Sequence, residues 1–290
     1  MRQGLALDDL PWPAEIIADH SWPGTSTTVM RLRKPDGHQM IVKRNTSSDS
    51  FQREYRALAH WTPVLTSQAP QLIDVDERRQ TLLMTAVPGR PLSTLILTAD
   101  QEREAYRQAG QILRALHQAG PRRTLSSFGR DRATYIRAQF THGMDPLTPA
   151  EIDLTHQALE LLEAMPPQQA QPSHLDFTSR NILWNDERSA VLDFETSRYE
   201  AVGRDFLRIT QRILRDRPDL RTAFYHGYGR EPDAAERELM RTCGVTDAAA
   251  IVVTATANGH RAFAAEAHRA LRDALRAWPA PAPGTAVPHS

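Results

Sequence analysis

The apolar periodicity of this chain changes once along its length, and that change limits the folds open to it. Before about residue 88 apolar residues alternate in short runs; beyond it they recur at three- and four-residue intervals. Thr28 to Arg33 and Gln39 to Arg44 flank Pro35-Asp36-Gly37, a turn signal between two alternating segments, which predicts an antiparallel hairpin. Met40-Ile41-Val42 is apolar, and Lys43 follows on the face of Ile41. A helix is predicted from about Asp49 to Trp61, with Asp49 and Gln52 as its N-terminal cap, Phe51, Tyr55 and Leu58 as its stripe, and Glu54 at the border of that stripe. A second hairpin, Gln71 to Asp76 and Gln80 to Ala86, turns at Glu77-Arg78-Arg79 and ends at Val87-Pro88-Gly89. Helices follow: one after the capping pair Thr98 and Gln101, stopped by Gly120-Pro121, and one after Thr148-Pro149 with Glu151, broken at Pro166-Pro167. Others are predicted after Asp205 and after Glu231, the last running to about Trp278. The expectation is an α+β chain with a strand-rich unit over 1–87, a helical unit over 88–278 and a disordered Pro/Ala-rich tail over 279–290.

A chain of 290 residues that is 40% hydrophobic buries a core without disulfides or metals, which excludes collagen-like, disulfide-scaffold and disordered classes. Its 35 basic and 35 acidic side chains cancel, so neither nucleic acid nor an anionic membrane is an expected partner. Cys243 is the sole cysteine, leaving no internal disulfide and no Cys-based zinc site, and a cytoplasmic setting is expected. No apolar run is long enough to span a bilayer, and MRQGLALDDLPW lacks the apolar region of a signal peptide. All but two of the basic residues are arginine, and only Asn45, Asn181, Asn185 and Asn258 are asparagine, as a GC-rich genome writes. Where such a chain keeps a lysine or an asparagine, the chemistry of that side chain is a candidate reason. Lys34 adjoins a turn; Lys43 does not.

One segment, Ser173 to Glu195, is dense in polar residues: SHLDFTSRNILWNDERSAVLDFE. Ile182-Leu183-Trp184 and Ala190-Val191-Leu192 read as two short strands separated by Asn185 to Ser189. A symmetric register opposes Ile182 with Leu192 and so Asn181 with Asp193, bringing an amide carbonyl and a carboxylate to one point, as a hard cation such as Mg2+ requires. Asp176, beside that point, is placed to accept a proton from a hydroxyl. Lys43 supplies a positive charge suited to phosphate oxygens, with Glu54 to orient it. Together these are the parts that phosphoryl transfer needs: positioning, charge neutralisation and a base.

His174, Asp176 and Asn181 form H-x-D-x-x-x-x-N, followed by Asp193-Phe194-Glu195 and Gly203-Arg204-Asp205. With Lys43, Glu54, LLMTAVPGRPL and Ala115-Leu116-His117 in order, the chain resembles the aminoglycoside phosphotransferase family of small-molecule kinases over roughly residues 20 to 210. The resemblance implies a bilobal, protein-kinase-like fold with a small antiparallel-sheet N-terminal lobe and a larger helical C-terminal lobe. It implies Asp176 as catalytic base, Asn181 and Asp193 as magnesium ligands, and Lys43 on the phosphates of ATP (or GTP), oriented by Glu54. Thr85 to Val87 would meet the purine edge, Gly24, Thr25 and Ser26 would cover the phosphates, and Asp205 would brace the catalytic loop. Three departures stand out: the phosphate loop has one glycine, Leu175 stands where the family usually has Gly, and Arg180 directly precedes Asn181. Arg180 either reaches the transferred phosphoryl group or pairs with a nearby acid. The implied reaction moves a γ-phosphoryl group to a hydroxyl of a small molecule. An antibiotic is the favoured acceptor, a choline-, homoserine- or sugar-kinase-like metabolite reaction the alternative, and a non-catalytic nucleotide-binding pseudokinase the remaining one. Residues 201–290 hold 13 Arg against 10 Asp and Glu, which disfavours a polycationic acceptor.

Overall fold

The computed structural model describes residues 13–21, 27–141 and 143–278. In chain order the elements are β1 (Glu15–Asp19), β2 (Thr28–Arg33), β3 (Gln39–Arg44), α1 (Ser48–His60), β4 (Leu72–Asp76), β5 (Thr81–Thr85), β6 (Arg90–Pro91) and α2 (Ala99–His117). There follow β7 (Arg123–Leu125), α3 (Phe128–Ala138), α4 (Pro149–Glu163), β8 (Gln168–Ser173), β9 (Ile182–Trp184), β10 (Ser189–Val191) and β11 (Arg198–Ala201). The chain closes with α5 (Gly203–Ile209), α6 (Pro218–Tyr228), α7 (Ala234–Ala257) and α8 (Arg261–Ala277). The tail expected over 279–290 lies outside the described residues. No described helix is long and apolar enough to cross a membrane.

Two compact units divide the chain, one reaching Arg123 and taking in Gln169–Pro232, the other comprising Thr124–Gln168 and the chain from Asp233. The expected boundary at residue 87 falls inside the first unit, just past the end of β5. In that unit an antiparallel sheet is ordered β1-β2-β3-β5-β4. The β2–β3 hairpin has the predicted ends, Arg33 opposite Gln39 and Thr28 opposite Arg44. Leu32, Met40, Val42 and Leu83 form the apolar layer of this sheet. Helix α1 begins one residue earlier than predicted: Ser47 is the cap, its Oγ accepting the amide of Ser50, and Asp49 sits in the first turn, where a carboxylate favours the positive helix end. Beyond the sheet, β6 pairs with β9, tying the chain that leaves β5 to the polar ribbon.

The capping boxes predicted at Thr98/Gln101 and Thr148/Glu151 are both formed. Helix α2 buries Ala105, Ala109, Ile112, Leu113 and Leu116 and packs on α6, where Leu220, Phe224, Tyr225 and Tyr228 are buried. The two backbones approach through Gly110 and Gly227: a Cβ at the first would strike the carbonyl of Phe224, and one at the second that of Arg107. Alanine gains about 1 kcal/mol of helix propensity over glycine, but overpacking against backbone costs about 1–3 kcal/mol. Gly110→Ala is therefore expected to lower the denaturant midpoint, measured by urea unfolding.

In the second unit α3, α4, α7 and α8 enclose a core that includes Leu154, Ala158, Val245, Ala249, Val252 and Leu271. Arg132 of α3 pairs with Asp247 of α7, both partly buried. The single final helix implied by the sequence is two, because Asn258 caps α7 and Gly259, at φ +72°, turns the chain before α8.

Candidate active site

Lys43 lies in β3, flanked by Val29 of β2 and Leu82 of β5, so its backbone is fixed from both sides. Alternation puts Met40 and Val42 in the apolar layer and turns Lys43 the other way, toward α1. Phe51, Glu54 and Leu58 share the inner stripe of α1, which carries Glu54 inside rather than to its border. Lys43 Nζ lies 2.9 and 3.1 Å from the two oxygens of Glu54. It also donates to Asp193 Oδ1 at 2.8 Å and pairs with Glu195 Oε2 at 3.0 Å. Asn45, two residues on and therefore on the same face, donates through Nδ2 to Glu54 at 3.1 Å.

Burial of Lys43 works against its charge, but Glu54, Asp193 and Glu195 outweigh it and raise the ammonium well above its usual range. Burial likewise resists ionisation of Asp193, yet Lys43 holds that carboxyl below its usual value. Burial pushes Glu54 up, against Lys43 and Asn45. Oxygens of Glu54, Asp193 and Glu195 all lie within 4.8 Å of one another. With all three ionised, one ammonium among them leaves two negative charges, which suits a divalent cation.

The polar ribbon differs from its predicted register by one residue. Ser189 pairs with Trp184 and Val191 with Ile182, and Leu192 donates to the carbonyl of Asn181 at 2.9 Å. The turn is shorter than expected because Asn185 Oδ1 accepts the amides of Glu187 and Arg188, while Asp186 takes φ +75°. Ser189 is then drawn into the strand, its amide bonded to Gln108 and its hydroxyl to the carbonyl of Ala105. Leu192, not Asp193, thus opposes Asn181. Asp193 reaches Lys43 because it leaves the strand with φ +68°.

Asp176 is the next piece. Asn181 Nδ2 donates to its carbonyl at 2.9 Å and to Oδ2 at 2.8 Å, and Arg180 Nη2 donates to Oδ2 at 2.5 Å. Arg180 therefore pairs with an acid, the second of the two roles open to it. Oδ1 of Asp176 has no protein donor among the described residues. His174 donates through Nε2 to the carbonyl of Leu192 at 2.9 Å and accepts the Asp176 amide at Nδ1, 3.3 Å, so both ring nitrogens serve the loop.

Beneath this loop Asp205 is fully buried. It accepts the amides of His174 at 2.8 Å and Leu175 at 2.5 Å, and His117 Nε2 at 3.0 Å. Leu175 stands at φ +65°, in the region that favours glycine, and the Asp205 bond holds it there. Burial raises the Asp205 carboxyl, but the bonds from His117 and Leu175 outweigh it and hold it below its usual value. Tyr228 OH lies 2.8 Å from His117 Nδ1 and completes the line.

The structure thus brings Lys43, Glu54 and Asp193 into direct contact and links Asn181 to Asp176. Gly24, Thr25 and Ser26 lie outside the described residues. At the expected purine edge Thr85 donates its amide to Gln71 at 3.0 Å and Ala86 to Gln39 at 3.3 Å, whereas the amide of Val87 has no protein acceptor among the described residues. Sequence reasoning missed Asn45 and Glu195 as partners in this cluster. The scarcity of asparagine singles out Asn45, and Glu195 lies two residues beyond Asp193.

A five-stranded sheet with a lysine–glutamate pair, followed by helices and a loop bearing Asp176 and Asn181, defines a kinase-like phosphotransferase fold. The family described as the phosphotransferase enzyme family, APH, matches residues 22–240, and the chain belongs to it. It is accordingly a phosphotransferase with an alcohol group as acceptor. Solved structures agree on the fold. A thermostable mutant of the aminoglycoside phosphotransferase APH(4)-Ia, in ternary complex with ADP and hygromycin B, superposes with TM-score 0.73 at 15% identity, over 92% of this chain and 96% of that one. A candidate fructosamine-3-kinase from Thermobifida fusca gives 0.64 at 20% identity, over 90% and 95%. The macrolide 2'-phosphotransferase MphH from Brachybacterium faecium gives 0.56 at 21%, over 89% and 90%. No curated protein matches the chain significantly.

Proposed function

We propose that this protein transfers the γ-phosphoryl group of ATP, or of GTP, to a hydroxyl of a small molecule in a Mg2+-dependent reaction. The observation that carries the reading is the meeting of Lys43 with Glu54 and Asp193, groups from a strand, a helix and the end of a ribbon 150 residues on, at 2.8 to 3.1 Å. Packing alone does not call for three carboxylates around one buried ammonium; a site for phosphates and a cation does. Asp193 and the side-chain carbonyl of Asn181 are hard oxygen donors of the kind Mg2+ takes, and they would hold it. Bound there, the ion would supply neutralisation of charge on the phosphates. Lys43 binds phosphate oxygens, Val87 offers its amide to the purine, and Gly24, Thr25 and Ser26 cover the phosphates.

Asp176 receives the acceptor's proton at Oδ1 as the hydroxyl oxygen bonds to the γ-phosphorus and the bond to the bridging oxygen of the nucleoside diphosphate breaks. Arg180 and Asn181 hold Oδ2 and so aim Oδ1. Asp205 keeps that loop in place and takes no part in the chemistry.

For the acceptor, a hydroxylated antibiotic is the favoured class, and resistance or self-resistance the setting. The guanidinium of Arg180 beside Asp176 opposes a polycation there, which favours a neutral or weakly charged antibiotic. That same cation favours, as a second reading, a metabolite hydroxyl whose neighbouring group is anionic. The buried lone thiol Cys243 fits a cytoplasmic location. Division at residue 87 into a nucleotide-binding lobe and a helical acceptor lobe belongs to the same reading. The test is incubation of the purified protein with Mg2+, ATP and a panel of hydroxylated antibiotics and metabolites, read by mass spectrometry. One acceptor gaining a single phosphoryl group supports the reading; ATP left intact across antibiotic and metabolite classes counts against it. Lys43→Ala is expected to lower kcat/KM by about 100-fold, checked by steady-state kinetics with varied ATP.

A further inference from the structure

Helix α1 sends two neighbouring side chains toward the segment around Asp193 by different routes. Glu54 lies on the inner stripe with Phe51 and Leu58 and meets Lys43. Arg53, one residue earlier, is turned about 100° round the helix and is half-buried. Its Nε donates at 3.0 Å to the main-chain carbonyl of Glu195, 142 residues on. Nη2 reaches 3.5 Å to Ser50 Oγ, three residues back on the same face. An arginine on a helix surface ordinarily keeps its guanidinium in water. This one sets a charged donor on a distant carbonyl, a bond stronger than one between neutral groups.

The carbonyl it holds belongs to the stretch that carries Asp193. That residue leaves its strand at φ +68°, a conformation that a non-glycine residue keeps only where its surroundings enforce it. Phe194 is fully buried, its ring 4.9 Å from that of His174. Thr196 Oγ1 donates to the carbonyl of His174 at 2.8 Å. These two contacts fix the stretch to the loop bearing Asp176, and Arg53 adds a tie to α1. With Phe194 turned inward, the carboxylates of Asp193 and Glu195 both reach Lys43, at 2.8 and 3.0 Å.

We propose that Arg53 is a positioning residue for the divalent-cation site: by holding the Glu195 carbonyl it fixes the turn that aims Asp193 and locks α1, with Glu54, to that carboxylate. The inference rests on the reading of Asp193 as a ligand of Mg2+. Its sign separates it from an effect of charge. A guanidinium repels a nearby divalent cation, so loss of its charge alone would tighten the ion. Loss of a contact that orients a ligand loosens the ion instead, by about 10- to 100-fold.

The experiment measures the affinity of the full chain for AMP-PNP by equilibrium titration, once with Mg2+ and once with EDTA, and takes the ratio as the Mg2+ gain. Wild type is compared with Arg53→Met, which keeps a flexible stem but no donor, and with Arg53→Gln, whose Nε2 takes the place of Nε without the charge. Arg56→Met removes the same charge from an exposed position of the same helix. Expected is a gain about tenfold smaller in Arg53→Met, with affinity in EDTA unchanged. Most of the gain returns in Arg53→Gln, and all of it is kept in Arg56→Met. Arg53→Ala, equally compatible with a helix, gives the same loss as Arg53→Met and replaces it should that variant not fold. A gain in Arg53→Met equal to or above that of the wild type, even with a lowered Tm, would overturn the proposal. So would a loss as large in Arg53→Gln or in Arg56→Met, which would trace the effect to charge. Absence of any Mg2+ gain in the wild type would overturn the reading of Asp193 itself, and this inference with it.

Discussion

Asp176→Asn is expected to lower turnover by about three orders of magnitude, within the 10²–10⁴ that a positioned base contributes and equivalent to about 4 kcal/mol of barrier. The substitution is isosteric. An amide oxygen at the Oδ2 position still accepts from Arg180 and Asn181, so the loop keeps its shape. The amide nitrogen falls at the Oδ1 position, where it cannot take a proton. Nucleotide affinity should therefore stay close to wild type while kcat falls, and the two are measured separately by equilibrium titration and single-turnover kinetics. Wild-type turnover in the variant would remove Asp176 from the chemistry; parallel loss of turnover and affinity would show a collapsed loop.

Removal of the Asp205 carboxylate should act on the fold. Asp205→Ala leaves the amides of His174 and Leu175 and the ring of His117 without their acceptor in a fully buried site. Losing one partner of a buried charged network costs about 3–5 kcal/mol, a large share of the roughly 5–15 kcal/mol by which a domain is stable. Asp205→Asn keeps one acceptor oxygen and should cost about 1–3 kcal/mol. The pH dependence follows in sign. Because the folded carboxyl is held below the ordinary 3.8, its contribution is present above that value and is lost as pH falls below it toward the folded value. Urea midpoints taken from pH 5 downward should fall in the wild type and fall less steeply in Asp205→Asn. Equal slopes would contradict the assignment.

What the sequence disclosed and what it concealed divide along a physical line. The β2–β3 hairpin and the capping boxes at Thr98 and Thr148 depend on residues within a few positions of one another, and all three form as read. The spacing of Asp176, Asn181 and Asp193 was equally local. Register was not: whether Asn185 closes a four- or five-residue turn depends on Ser189 finding Gln108 and Ala105, some eighty residues back. The contacts that build the site are longer still. Nothing in the neighbourhood of Tyr228 points to His117, 111 residues away, and nothing near Glu195 points to Lys43. The spacing of the stripe sets Glu54 at its border, whereas the structure buries it; Lys43 and Asn45 opposite, themselves contributed by another element, are what permit a carboxylate there.

The claim on which the account turns is that Lys43 and Asp193 share a nucleotide and a divalent ion. It is tested most directly by titrating the intact protein with the non-hydrolysable nucleotide AMP-PNP, once with Mg2+ and once with EDTA, for wild type and Asp193→Asn. The account predicts at least tenfold tighter binding with Mg2+ in the wild type and no such gain in the variant. Affinity that is the same with and without Mg2+, or a gain that survives in Asp193→Asn, would contradict it.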